Sequence, residues 1–150
     1  MIPKLKAKGV SVAVIKRCPH GFQWEDGNRG KDSELFLQAG SEAVGLWGPD
    51  RWALLLPSPV EPDLPSWATR FFPNVDIVLI EGGKGVRGIP KIAVGGGAAG
   101  KLPSIPVDEL LAVVSDANPC LGTPCFSPHR VEELVEFLAQ KIKKEARSWN

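Results

Sequence analysis

Three short runs of this 150-residue chain are apolar and mostly β-branched: Val10–Ile15 (VSVAVI), Val75–Ile80 (VDIVLI) and Leu111–Val114 (LAVV). A strand with one wet face alternates apolar and polar residues, whereas a strand covered on both faces does not. The runs therefore predict strands buried on both faces, as in a parallel sheet between helices. A further short strand is expected over 89–94. Ile2–Lys8 reads as the last two turns of a helix, with lysines toward its C-terminal end and Gly9 as the stop. Asp32 and Ser33 can cap a short helix from Glu34 to Ala39, closed by Gly40. Glu42–Trp47 and Arg51–Leu56 flank Gly48-Pro49-Asp50, the pattern of a β-hairpin. Pro57–Pro65 reads as an extended connection, and Ser66–Phe72 as one or two helical turns. Ser127, with Pro128 at the first helical position, starts the last helix. Its apolar stripe is Val131, Leu134, Val135, Leu138 and Ile142, at helical spacing. The expected fold is a single α/β domain over residues 1–150.

Charge narrows the function. Eighteen Lys and Arg against 17 Asp and Glu leave a net charge of +1. That balance gives no electrostatic footprint for nucleic acid. No apolar run approaches the ~20 residues that span a bilayer, and the basic start is too short for a signal peptide. A cytoplasmic protein without membrane or nucleic-acid partners is expected. Three cysteines, Cys18, Cys120 and Cys125, argue against a disulfide framework. A metal site can be drawn from them with His20 and His129, but free thiols in a reducing compartment are the simpler expectation.

With 16 Gly and 14 Pro, a fifth of the chain, glycine-rich matches come cheaply. Gly95–Lys101 (GGGAAGK) fits the G-x-x-x-x-G-K of a phosphate loop. The next residue is Leu102 rather than the Ser or Thr that ligates Mg²⁺, and Pro103 and Pro106 disfavour the helix that must follow. An active nucleotide hydrolase using this loop is the alternative reading. Gly83–Gly88 and Gly95–Gly100 also fit G-x-G-x-x-G, but neither opens a helix, so the dinucleotide reading fails on context. What survives is Lys84 and Arg87, set among glycines just beyond a strand's carboxyl end, where open α/β sheets bind ligands. Phosphate is the ligand they suit.

Seven segments, in order, resemble one family: Val12–Lys16, His20–Phe22, Gly30–Ser33, Ala39–Ser41, Val75–Gly82 with Lys84, Pro90–Ile92 and Leu111–Asp116. They resemble the molybdopterin-guanine dinucleotide biosynthesis adaptor family, MobB, from residue 1 to about residue 140. The resemblance implies a P-loop-NTPase-like fold of the SIMIBI type and a homodimer. It also implies binding of GTP and Mg²⁺, and work beside a molybdenum cofactor guanylyltransferase as an adaptor with at most weak GTPase activity. Members begin with a strand, a G-x-x-x-x-G-K-[ST] loop and a helix. This sequence starts at what reads as the middle of that helix, so the first strand and the phosphate loop are expected to be missing. Without that strand, its neighbours in the sheet would keep unpaired backbone groups. The usual aromatic after Glu81-Gly82 is Gly83 here, and an Arg common after Asp32 is absent.

On this resemblance Glu81 is a Walker-B-like carboxylate that holds Mg²⁺ through water. Asp32 and Lys31 are Mg²⁺ or phosphate contacts, or else a helix cap and its solvated neighbour. Lys16, at a strand's carboxyl end, is placed to reach a phosphate. His20 is a nucleotide-loop candidate. Asp116, ending the LAVV strand, either reads a guanine edge or forms a turn before Asn118-Pro119.

Overall fold

The structure, a computed structural model, describes residues 1–18, 31–57, 63–95, 102–116 and 122–148. Its elements in chain order are α1 (Ile2–Ala7), β1 (Val12–Lys16), α2 (Lys31–Gln38), β2 (Val44–Trp47), β3 (Trp52–Leu55), α3 (Leu64–Phe71), β4 (Ile77–Glu81), β5 (Lys91–Val94), a 3-10 turn (Val107–Glu109), β6 (Leu110–Val114), β7 (Cys125–Phe126) and α4 (Val131–Ser148). They form two compact units, one of Met1–Arg17 with Leu64–Asn150, the other of Cys18–Asp63.

The larger unit holds all the parallel strands. β1 pairs with β4 in register from Val12↔Ile77 to Lys16↔Glu81. β6 lies between β5 and β7, parallel to both. Among the described residues no strand joins β4 to β5, so each keeps one unpaired edge. Both ladders feed one core. Leu5 of α1, Val10, Val114 of β6, and Leu134, Val135, Leu138 and Ala139 of α4 are buried together. Val12, Ile77 and Leu79 of the first ladder pack on that cluster, as do Ile92, Leu111 and Phe126 of the second.

The doubly buried strands predicted at 10–15 and 75–80 are corrected here. Every residue of β4 from Ile77 to Ile80 is only half-buried, and Val14 of β1 is 46% exposed. The reason is architectural. Val12, Ile77 and Leu79 pack on the helical core, Val78 and Ile80 alternate to the other face, and among the described residues β4 has a partner on one side only. Val14, in register with Leu79, lies on the core side but outside that buried cluster. The prediction holds where both edges are paired. In β6, Ala112 and Val113 are fully buried.

Local chemistry fixes the helices. Pro3 sits in the first turn of α1, where its missing N–H leaves no bond unmade. Gly9, at φ +77°, ends the helix in the left-handed region, as expected. The last helix starts later than predicted. Ser127–Arg130 forms a turn, in which Arg130 N–H donates to Ser127 O at 3.0 Å and His129 N–H to Ser127 Oγ at 3.2 Å. Pro128 therefore lies before α4 rather than at its first position, but the predicted stripe does face the core.

A reciprocal clamp sets the β1–β4 register at its start. The Asp76 carboxylate accepts Ser11 N–H at 2.7 Å and Ser11 Oγ–H at 2.6 Å, and Asp76 N–H donates to Ser11 Oγ at 2.8 Å. The Ser11 hydroxyl and then its amide hold the Asp76 carboxyl below its ordinary 3.8, against a small opposing effect of burial. A carboxylate depressed in the folded state stabilises the fold above its unfolded pKa and loses that contribution as pH falls through the folded one. Acid titration of stability should therefore be shallower in Asp76→Asn than in the parent below pH ~4. Equal slopes in urea melts across that range would remove Asp76 as a source.

In the smaller unit β2 and β3 form the predicted hairpin, with Gly48 N–H donating to Arg51 O at 2.9 Å across the turn. Trp47 and Trp52 lie directly opposite one another and are 94% and 70% exposed. The expected cap at Asp32 and Ser33 is corrected: α2 begins at Lys31, so both residues lie inside its first turn. Ser33 is buried there.

Candidate functional site

The carboxyl ends of β1 and β4 bring two predicted residues together. Lys16 and Glu81 are register partners, and Lys16 Nζ lies 3.4 Å from Glu81 Oε2. Both side chains are largely exposed, 70% and 64%, so the pair is loosely held and open to a ligand. Arg17 N–H donates to Glu81 O at 3.1 Å, extending the pairing one residue past the strands.

The chain then turns sharply. Gly82 and Gly83 take φ +84° and +69°, and Val86 N–H closes a turn on Gly83 O at 2.9 Å. A side chain at Gly82 would put its Cβ 3.1 Å from the Cβ of Arg17. Glycine is thus required twice, for the left-handed backbone and for the close approach. Arg17 becomes a neighbour of the site, which sequence reading missed; its position one residue past Lys16 was the available signal. Lys84 follows in the loop, exposed.

Arg87 sits at the far end of that loop. The next residue, Gly88, donates its N–H to Glu109 Oε1 at 2.9 Å, and Glu109 Oε2 accepts Lys91 Nζ at 2.6 Å. Lys91, Gly88 and the charges of Lys91 and Arg87 together hold the Glu109 carboxyl below its usual value, against desolvation. Sequence reading noticed Lys91 only within Pro90–Ile92 and passed over Glu109.

The other candidates lie on other elements. Asp116 follows β6 on the second ladder, where its Oδ1 is 3.9 Å from His129 Nε2. Lys31 and Asp32 open α2, in the smaller unit. His20 and Cys120 lie outside the described residues, while Cys18 and Cys125 carry reduced thiols. Among the described residues no three His, Cys, Asp or Glu side chains gather as a metal site. A single exposed carboxylate such as Glu81 nevertheless suits Mg²⁺, which takes one or two protein carboxylates when phosphates and water complete its shell.

Gly96–Lys101, most of the alternative phosphate loop, is outside the described residues. Its first residue is not free to cradle an anion. Gly95 N–H donates to Val114 O at 2.8 Å, and a Cβ there would lie 3.0 Å from Leu102 Cδ2. Leu102–Pro106 is not helical, as the prolines predicted. No helix follows Gly83–Gly88 either.

The sequence model of the family described as "Molybdopterin guanine dinucleotide synthesis protein B" matches residues 1–116. The chain belongs to the MobB family. The molybdopterin-guanine dinucleotide biosynthesis adapter protein of Haemophilus influenzae is 31% identical over 140 residues, spanning 92% of this chain and 76% of that one. Its Escherichia coli counterpart is 31% identical over 150 residues, spanning 97% and 84%. A crystal structure of molybdopterin-guanine biosynthesis protein B matches at a TM-score of 0.67 with 26% identity, over 95% of this chain and 86% of that one. A MobB homologue from Bacillus stearothermophilus matches at 0.58 with 20% identity, over 95% and 85%, and supports the fold. The expected MobB-type α/β fold is thus the observed one. Among the described residues no helix is long and apolar enough to cross a membrane.

Proposed function

We propose that this MobB-family chain is a cytoplasmic adapter in molybdopterin guanine dinucleotide synthesis. It binds the phosphates of GTP, or of the pterin dinucleotide, and assists a guanylyltransferase. The observation that carries the reading is the carboxyl end of the β1–β4 ladder, where Lys16 and Glu81 meet beside Arg17 and the loop bearing Lys84. A lysine paired with a strand-end carboxylate, followed at once by a glycine-rich loop that carries Lys84, favours a polyphosphate with its metal. Lys16 and Lys84 meet phosphate oxygens, Arg87 adds charge at the loop's far end, and Glu81 holds Mg²⁺ through water. Lys31, Asp32, His20 and Asp116 remain nucleotide-binding candidates by the family resemblance. On this reading the chain is a nucleotide-binding adapter with at most weak GTPase activity.

The homodimer is part of the same proposal, and its candidate surface is in the smaller unit, where Trp47, Trp52 and Leu54 of the hairpin and Leu35 and Phe36 of α2 are exposed.

Calorimetric titration with GTP and Mg²⁺ tests the site. The parent chain should bind saturably, and Lys84→Ala should weaken binding roughly tenfold, as loss of a charged hydrogen bond to phosphate does. Lys101→Ala should leave binding unchanged. Loss of binding in Lys101→Ala with none in Lys84→Ala would move the site to Gly95–Lys101 and favour the hydrolase.

A further inference from the structure

The loop after β4 is fastened at its far end by a node that the proposed site does not itself contain. Glu109 closes the 3-10 turn before β6. One of its oxygens accepts Gly88 N–H at 2.9 Å and the other accepts Lys91 Nζ at 2.6 Å. Lys91 Nζ also donates to Ile89 O at 3.2 Å. The two side chains are 7% and 11% exposed, whereas every other described ion pair leaves both partners at least 40% exposed.

Burying an ion pair brings little net stability, because desolvation offsets the attraction. Its effect here is geometric. Three bonds pin Gly88, Ile89 and Lys91, so the stretch from Gly82 to Arg87 is fixed at both ends, by the end of β4 on one side and by Glu109 on the other. That stretch holds Gly82, Gly83 and Gly85, and a glycine-rich segment loses more freedom on ordering than any other. Tethered at one end only, it would have to lose that freedom when an anion bound, at the expense of affinity.

We infer that Glu109, with Lys91, is a positioning residue for anion binding by the Gly82–Arg87 loop, which carries Lys84 onward from the Lys16–Glu81 pair. The inference rests on the phosphate-binding reading above.

Charge and positioning predict opposite signs, which makes the test sharp. Removing a carboxylate near a bound polyphosphate should strengthen binding by Coulomb's law alone. Loss of positioning should weaken it. The probe is inorganic tripolyphosphate, titrated calorimetrically into the parent, Glu109→Ala, Glu109→Gln and Lys91→Arg. Glu109→Ala is expected to bind roughly tenfold more weakly, the scale on which loss of a supporting shell is felt, with a less favourable entropy. Lys91→Arg, which keeps the ion pair, should bind as the parent does. Lys84→Ala should cost less in the Glu109→Ala background than in the parent, because a mobile loop no longer holds Lys84 in place. If Glu109→Ala fails to fold, Glu109→Gln decides: it keeps an acceptor for Gly88 but loses the charge facing Lys91, and weaker binding is again expected. A folded Glu109 variant that binds tripolyphosphate as tightly as the parent, or more tightly, overturns the inference. A parent chain that binds no polyphosphate overturns the underlying reading instead.

Discussion

Leu5→Ala should destabilise the chain by about 2–5 kcal/mol, the range for deleting a buried leucine's methyl groups without collapse of the space they filled. Leu5 is fully buried, and it is the side chain through which the six-residue helix α1 enters the core beneath α4. So short a helix has no independent stability; packing of this one residue, with Val10 behind it, keeps it folded. Two ion pairs also cross to α4 from α1 and its C-terminal cap, Lys4 to Glu132 and Lys8 to Glu136. All four side chains are well exposed, so screening and side-chain entropy remove most of their effect. Lys4→Ala and Lys8→Ala are therefore expected to shift the urea midpoint far less than Leu5→Ala. If the two lysine variants together matched the leucine variant, charge rather than packing would be what fastens α1.

How far the fold was legible follows from the same distinction between packing and local chemistry. Val131–Ile142 announced α4 because its apolar residues recur at helical spacing and one face is all they need to bury. Gly48-Pro49-Asp50 announced the hairpin because turn chemistry is local. β7 was not legible: Cys125–Phe126 is two residues between prolines, a strand only because β6 offers Val113 and Val114 as partners. The runs at 10–15 and 75–80 were legible as strands but not in their surroundings. Their composition answers to a sheet covered on both faces and paired on both edges, and β4 has neither among the described residues.

The site divides in the same way. Lys16 and Lys84 could be named because a parallel strand's carboxyl end is recognisable from the apolar run that precedes it, and Glu81 because the family resemblance matches there. The pairing of Lys16 with Glu81 could not, since it depends on a register set by Ser11 and Asp76, 65 positions apart. Glu109 is hidden for the same reason: it is one acid in a polar stretch until the fold lays Gly88 and Lys91 against it.

Gly82→Val should both destabilise the chain and abolish polyphosphate binding. At φ +84° a β-branched residue is an outlier, a strain of about 1–3 kcal/mol. The new Cβ would also lie 3.1 Å from Arg17 Cβ. That contact is relieved by moving Arg17 or the start of the loop by a few tenths of an ångström, which adds to the backbone strain just where the loop bearing Lys84 leaves β4. Gly83→Ala is the matched control. It carries a similar backbone penalty at φ +69°, but its Cβ would meet only ordinary contacts with Ile80 and Val86 at 3.5 Å. Measured well below their melting temperatures, Gly83→Ala should retain tripolyphosphate binding while Gly82→Val loses it. Equal binding by both variants would show that the approach of Arg17 to Gly82 is mere packing, and the phosphate site would then have to be sought away from the end of β4.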